Sequence, residues 1–191
     1  YYLILLKPRE FIYLLSLKVQ NILSKKNNNF NKIKDINSFE FIKLIRENKY
    51  DLLVSYSCPQ IFKKKTLNEL KKIQTDVVNF HPALLPKYRG LFGCYYSIKN
   101  KEEYVGISFH HINQEIDGGK IIDKFKIKIN KHDTVFSLLK KIFLSKKSLN
   151  FVLSSILKYK VGGSRKIKRS KVYAYNSTPN FNDLIKFKLN K

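Results

Sequence analysis

A doubly wound α/β fold, built on a mostly parallel sheet with antiparallel strands after residue 104, is predicted by three features of the sequence. Short apolar runs of buried-strand length alternate with amphipathic segments of helix length. Polar residues close those runs, as in Val77-Val78-Asn79-Phe80-His81. Two more strand-length runs follow after residue 104, the second with one solvated face. Strands that alternate with helical crossovers pair in parallel and are covered on both faces.

At the N-terminus, Pro8 fits the first turn of a helix running to about Ser24, with Phe11, Leu14, Leu15, Val19 and Ile22 at helical spacing. Lys32 to Ile36 reads as a short strand. Asn37-Ser38-Phe39-Glu40 then places a capping-type residue three positions before a glutamate and starts a helix through about Asn48. Tyr50 to Tyr56 is a continuous apolar run of strand length, Leu67 to Ile73 a short helix, and Asp76 to Phe80 a second buried strand. Beyond a loop come strands over Tyr104 to Ile112 and Gly119 to Ile129. In the latter Phe125, Ile127 and Ile129 alternate with Lys124, Lys126 and Lys128. Asp133 is the expected cap of one long helix from Thr134 to Tyr159, which Gly162-Gly163 ends.

With 191 residues, 43% of them hydrophobic, the chain has the size and apolar content for one well-filled core. A net charge of +24 invites a nucleic-acid reading. Against it, only Arg9, Arg46, Arg89, Arg165 and Arg169 are arginines among 38 basic residues, and the lysines are spread along the chain. The dense cluster Arg165 to Lys171 reads as a solvated face or an anion-facing rim. Cys58 and Cys94 make neither a metal-ligand spacing nor a disulfide framework, which fits a reducing cytoplasm. Lys7 to Glu10 interrupts the N-terminal apolar runs, leaving nothing of membrane-spanning length there. The chain starts at Tyr1 and contains no methionine, so an N-terminally truncated domain is expected.

Ligands of open parallel sheets bind outside the carboxyl ends of the strands. Asn79 and His81, two apart at such an end, share one face of the strand, and Pro82 keeps His81 extended. A donating amide beside an imidazole suits an oxygen that gains negative charge on a carbonyl. The loop that follows, Pro82 to Gly90, has two prolines and a glycine around Leu84-Leu85, the composition of an ordered loop that shapes a site.

Asn79-Phe80-His81-Pro82-Ala83-Leu84-Leu85-Pro86-Lys87-Tyr88-Arg89-Gly90 resembles the signature of the folate-dependent formyltransferases. Gly106 to Ile122 is similar to that family's strand, folate-side loop and aspartate-x-glycine turn, and Asp51 to Val54 followed by Cys58 to Ile61 more weakly to its other folate-side loop. The resemblance implies a Rossmann-like catalytic domain over residues 1–163, lacking its first strand or strands, and a short basic tail over 164–191. It implies catalytic roles for Asn79, His81 and Asp117, folate contacts from Cys58, Pro59, Gln60, Ile61, Asn113, Gln114, Glu115 and Ile116, and acceptor contacts from Leu85, Pro86, Tyr88, Arg89 and Gly90, with His110 in support behind them. In that mechanism Asn79 and a protonated His81 stabilise the oxygen of the formyl group, while Asp117 orients the imidazole and helps to move a proton. The implied donor is 10-formyltetrahydrofolate, with no metal.

Arg89-Gly90 resembles the sugar and transfer-RNA branches more than the glycinamide ribonucleotide branch, and Tyr173 to Phe187 the short tail of sugar N-formyltransferases. A nucleotide-linked amino sugar is therefore the expected acceptor. Methionyl-tRNA, glycinamide ribonucleotide, or a non-catalytic basic RNA-binding domain are the alternatives, and homodimerisation stays open. Leu91-Phe92-Gly93-Cys94 departs from relatives that carry proline near Gly93, which affects the expected loop path.

Overall fold

A computed structural model describes residues 33–56, 58–162 and 175–189. The helix expected over Pro8 to Ser24 and the cluster Arg165 to Lys171 lie outside these residues. The segment expected as a strand over Lys32 to Ile36 is bend and turn from residue 33. Its backbone is bound by a side chain instead: Ile36 N–H donates to Gln60 Oε1 at 2.9 Å, and Gln60 Nε2 donates to the Lys34 carbonyl at 2.7 Å.

Helix α1 (Phe39–Glu47) begins at Ser38, whose hydroxyl accepts from Phe41 N–H. The sequence pattern had pointed to Asn37 as the cap. Asn37 Oδ1 instead accepts from Lys63 N–H at 2.7 Å and from the Thr66 hydroxyl at 2.8 Å, joining the starts of two helices. Strand β1 (Leu52–Tyr56) leads to α2 (Lys64–Lys72) and β2 (Asp76–His81). The two-residue β3 (Arg89–Gly90) precedes α3 (Gly93–Lys99), followed by β4 (Tyr104–His111) and β5 (Ile121–Lys128). The long helix expected over Thr134 to Tyr159 is two: α4 (Val135–Leu144) and α5 (Lys146–Lys160). Ser145, extended at ψ 140°, closes the first and caps the second through its hydroxyl, which accepts from Ser148 N–H. Thr134 rather than Asp133 caps α4, in a reciprocal box with Ser137. Strand β6 (Tyr175–Asn176) and helix α6 (Phe181–Leu189) complete the described elements.

The sheet is mixed, in the order β1-β2-β4-β5: β1 and β2 are parallel, and β4 and β5 are the antiparallel strands expected after residue 104. Successive side chains of β2 enter opposite layers, so this central strand is apolar on both faces. Val77 packs with Phe41, Ile42, Ile45 and Leu70 of α1 and α2. Val78 and Phe80 pack with Tyr95, Leu138, Ile142 and Leu184 from α3, α4 and α6. Leu184 is fully buried, so residues 175–189 share the main core. Among the described residues no helix is long and apolar enough to cross a membrane.

Candidate active site

The register of the sheet decides what meets at its carboxyl edge. Antiparallel pairing of β2 and β4 sets Asn79 opposite His110 and His81 opposite Ser108. Asn79 Nδ2 lies 3.1 Å from His110 Nε2, while His110 Nδ1 donates to the carbonyl of His111 at 2.8 Å. With the proton on Nδ1, Nε2 accepts from the amide, which fixes the tautomer of the ring and the orientation of Asn79. Burial pushes the His110 ring down to about 4, so it stays neutral at ordinary pH. One N–H of the Asn79 amide is spent on this bond; the other is left for a ligand.

His81 is held from both sides. Its Nε2–H donates to the Tyr88 carbonyl at 2.7 Å, and Nδ1 faces Asp117 Oδ2 at 3.4 Å. The Tyr88 carbonyl and the Asp117 carboxylate thus put an acceptor oxygen beside each ring nitrogen. Asp117 Oδ2 also accepts from Gly90 N–H at 2.8 Å. Its other oxygen is 3.6 Å from His110 Nε2, which carries no proton in this tautomer and leaves Oδ1 as the basic atom.

Asp117 itself has φ +51°, a left-handed conformation that aspartate tolerates better than most residues. The surrounding loop holds it there. Arg89 Nε and Nη2 both donate to the Ile116 carbonyl, at 2.9 and 2.7 Å, and Glu115 N–H donates to Asn113 Oδ1 at 3.0 Å. Opposite, the buried Ser108 hydroxyl accepts from Leu85 N–H at 2.9 Å and donates to the Ala83 carbonyl at 2.8 Å, fixing the loop after β2. Tyr88 is buried, with its hydroxyl donating to Glu102 at 2.7 Å.

These groups open onto a cavity of about 590 Å³. Asn79, His81, His110 and Asp117 line it, as do Cys58, Pro59, Gln60 and Ile61 on one loop and Asn113, Gln114, Glu115 and Ile116 on another. Of the residues expected at the acceptor, Gly90 lines it; Leu85, Pro86, Tyr88 and Arg89 do not, and the bonds of Leu85, Tyr88 and Arg89 set the loop instead. The Gln60 amide is committed to Lys34 and Ile36, so its side chain secures the wall it belongs to. Among the described residues no group of three or more His, Cys, Asp and Glu side chains is placed to hold a metal ion.

The formyl transferase family model matches residues 17–151, more than half of the chain. The chain belongs to the formyl transferase family. It is 35% identical over 131 residues to the bifunctional polymyxin resistance protein ArnA of Wigglesworthia glossinidia brevipalpis, covering 67% of this chain and 19% of the relative. It is 32% identical over 146 residues to the methionyl-tRNA formyltransferase of Borrelia garinii subsp. bavariensis, covering 76% and 41%. The chain thus spans well under half the length of these curated relatives. In fold it is similar to a sugar N-formyltransferase from Shewanella, with a TM-score of 0.64, 21% identity and coverage of 94% of this chain and 81% of the other. It is likewise similar to the formyltransferase PseJ from Anoxybacillus kamchatkensis, with a TM-score of 0.60, 18% identity and coverage of 86% and 80%. That structure is a complex with UDP-4,6-dideoxy-4-formamido-L-AltNAc and tetrahydrofolate.

Within this formyl transferase fold, several lining residues had no signal of their own in the sequence. Val135, Leu139 and Phe143 of α4 and Cys94 of α3 form an apolar end of the cavity. In the sequence the three residues of α4 are core positions of an amphipathic helix, indistinguishable from their neighbours, and Cys94 lies in a stretch with no helix signal. Burial pushes the Cys94 thiol up to about 12, so it is an apolar wall group and not a nucleophile. Leu91, Phe92 and Tyr175 line the cavity as well. Tyr175 arrives from far along the chain, through pairing of β6 with β3.

Proposed function

We propose that the chain transfers a formyl group from 10-formyltetrahydrofolate to a primary amine, on a nucleotide-linked amino sugar. The observation that carries this reading is the convergence of Asn79, His81 and Asp117 on one cavity whose other walls are the loops Cys58–Ile61 and Asn113–Ile116.

The cavity suits a folate in volume and lining: an apolar end from Val135, Leu139 and Phe143 takes a flat ring system, and the 113–116 loop offers polar backbone beside it. The bound folate supplies the formyl group. The second N–H of Asn79 donates to the formyl oxygen as the amine adds to the carbonyl and negative charge builds there, held in place by the bond to His110. His81, both nitrogens engaged, adds positive charge and fixes Asp117 rather than donating directly to that oxygen. Asp117 Oδ1 takes a proton from the attacking amine and delivers it, directly or through water, to the departing nitrogen. One catalytic carboxylate thus serves as both acceptor and donor of the same proton, and the residues end the cycle unchanged.

The acceptor assignment draws support from the fold likeness to a sugar N-formyltransferase, which spans 94% of the chain and so extends past the end of the family match at residue 151. The test is to incubate the 191-residue chain with 10-formyltetrahydrofolate and separate panels of nucleotide-linked amino sugars, methionyl-tRNA and glycinamide ribonucleotide, and to read formylated product by mass spectrometry. Product on an amino sugar is expected. Product on methionyl-tRNA alone would replace the acceptor, and none on any amine would overturn the reading.

A further inference from the structure

Tyr175 stands on the cavity wall although it lies beyond the stretch that matches the family model. Its position is built in detail. In the β3–β6 ladder Arg89 pairs with Tyr175 and Gly90 with Asn176. Leu91 N–H donates to the Asn176 carbonyl at 2.9 Å, and Asn176 Nδ2 donates to the Arg89 carbonyl at 3.2 Å. Gly90, at φ +88°, has no side chain to interfere: a β-carbon there would come within 2.5 Å of both the Asn176 carbonyl oxygen and Tyr175 Cε2. The ring therefore rests on the Gly90 peptide, whose N–H binds Asp117.

Tyr175 nonetheless keeps 46% of its surface exposed, and Leu91 beside it keeps 50%. Two half-open apolar side chains thus sit one peptide from the proposed proton-carrying carboxylate. No lysine or arginine is among the described residues that line the cavity, despite the net charge of +24. The Arg89 guanidinium, next in sequence to Gly90 of the wall, is committed to the Ile116 carbonyl and lies 3.6 Å from Glu115. Against the ring of Tyr175 and the side chain of Leu91, an apolar ring face gains contact area.

We propose that Tyr175 and Leu91 form the acceptor shelf of this site, taking the apolar face of the ring that carries the amine. This rests on the formyl-transfer reading. An aromatic ring half-covered by protein and half open is the usual platform for such a face, and losing it costs binding without touching the reacting groups.

Steady-state kinetics of the 191-residue chain test it. Tyr175→Ala raises the acceptor KM by about tenfold, with the fall concentrated in KM rather than kcat and the folate KM unmoved, while Tyr175→Phe keeps the wild-type acceptor KM. Leu91→Asn, which leaves the β3–β6 ladder intact, raises the acceptor KM in the same direction and serves if Tyr175→Ala does not fold. Wild type prefers a nucleotide-linked dideoxy amino sugar over its 6-hydroxy analogue, and Tyr175→Ala narrows that preference. Unchanged acceptor KM in both shelf variants, with transfer intact, overturns the shelf and leaves formyl transfer standing. If wild type transfers to no amine, the underlying reading falls. Calorimetric titration of the same dideoxy amino sugar into the chain then decides the shelf: binding that weakens in Tyr175→Ala upholds it, and no binding overturns it.

Discussion

Replacing Asn79 by alanine separates two jobs that one amide performs. The side chain sits in the middle of the β2–β4 ladder, where its removal leaves the backbone pairing untouched. Its first job, in the proposed reaction, is to donate to the reacting oxygen, and loss of a single donor of that kind costs about 2.7–4 kcal/mol, or roughly 100- to 1000-fold in kcat. Its second is to satisfy His110 Nε2, 3.1 Å away on a ring only 2% exposed. Leaving that buried acceptor without a partner costs about 1–3 kcal/mol of folding stability. Asn79→Ala should therefore lower kcat by two orders of magnitude or more with little change in either KM, and lower the midpoint of urea unfolding. In a His110→Phe background nothing is left to orphan, so the stability loss shrinks; kcat of the double variant should be no worse than that of Asn79→Ala. The assay is formyl transfer to the acceptor found in the substrate panel, beside denaturant titrations of all four proteins. A folded Asn79→Ala protein with kcat within about threefold of wild type would refute the donor role.

Asp117→Asn keeps an acceptor for Gly90 N–H but removes the charge and the basic oxygen, so kcat should fall by roughly 100-fold or more while circular dichroism stays unchanged. His110 gives a pH signature: its folded value is about 4 against 6.5 for a free ring, so between those values the unfolded chain binds the proton and the folded chain does not. Stability from this group is therefore lost as pH falls from 6.5 to 4, by up to about 3 kcal/mol, and His110→Phe should flatten that part of the profile in denaturant titrations at stepped pH. Leu184→Ala, at a fully buried position of α6, should cost about 2–5 kcal/mol and lower the melting temperature. An unchanged melting temperature would show that the C-terminal helix does not share the main core.

Where sequence signals are local, they carried far. The apolar run of β2, the alternation along β5 and the pair Asn79/His81 at a strand end are each contained in a few residues, and the folded chain puts them where those residues point, while the run of β1 forms its strand but leaves Val54 and Tyr56 over a third exposed instead of buried. The departures have non-local causes. Helix α3 was hidden because it starts from Phe92 at φ +60° with no side-chain cap and is only seven residues long. The break at Ser145 was hidden because the apolar periodicity continues across it, while its hydroxyl turns to cap α5. Asn37 looked like a cap but bridges two helices 26 residues apart in sequence at the Lys63 amide. Arg89, Tyr88 and Leu85 belong to the recognisable motif, yet they act through bonds between a side chain and a backbone group, with Ile116, His81 and Ser108, that only the fold identifies. Tyr175 belongs to the tail stretch Tyr173 to Phe187, but nothing there singles it out, since its meaning lies in a two-residue ladder with Gly90's strand.

That ladder also sets an order of events during synthesis. Chains grow from the N-terminus, and domains fold as their parts emerge. The Asn79, His81 and Asp117 segments are all made before residue 118, but the strand that lies against Gly90, and through it beside the carboxylate, comes only with Tyr175 and Asn176. Until then the cavity lacks one wall and the core lacks Leu184. A nascent chain stalled between these points would hold all three residues of the proposed reaction and still present an unfinished pocket, so the pocket is completed late and at one step.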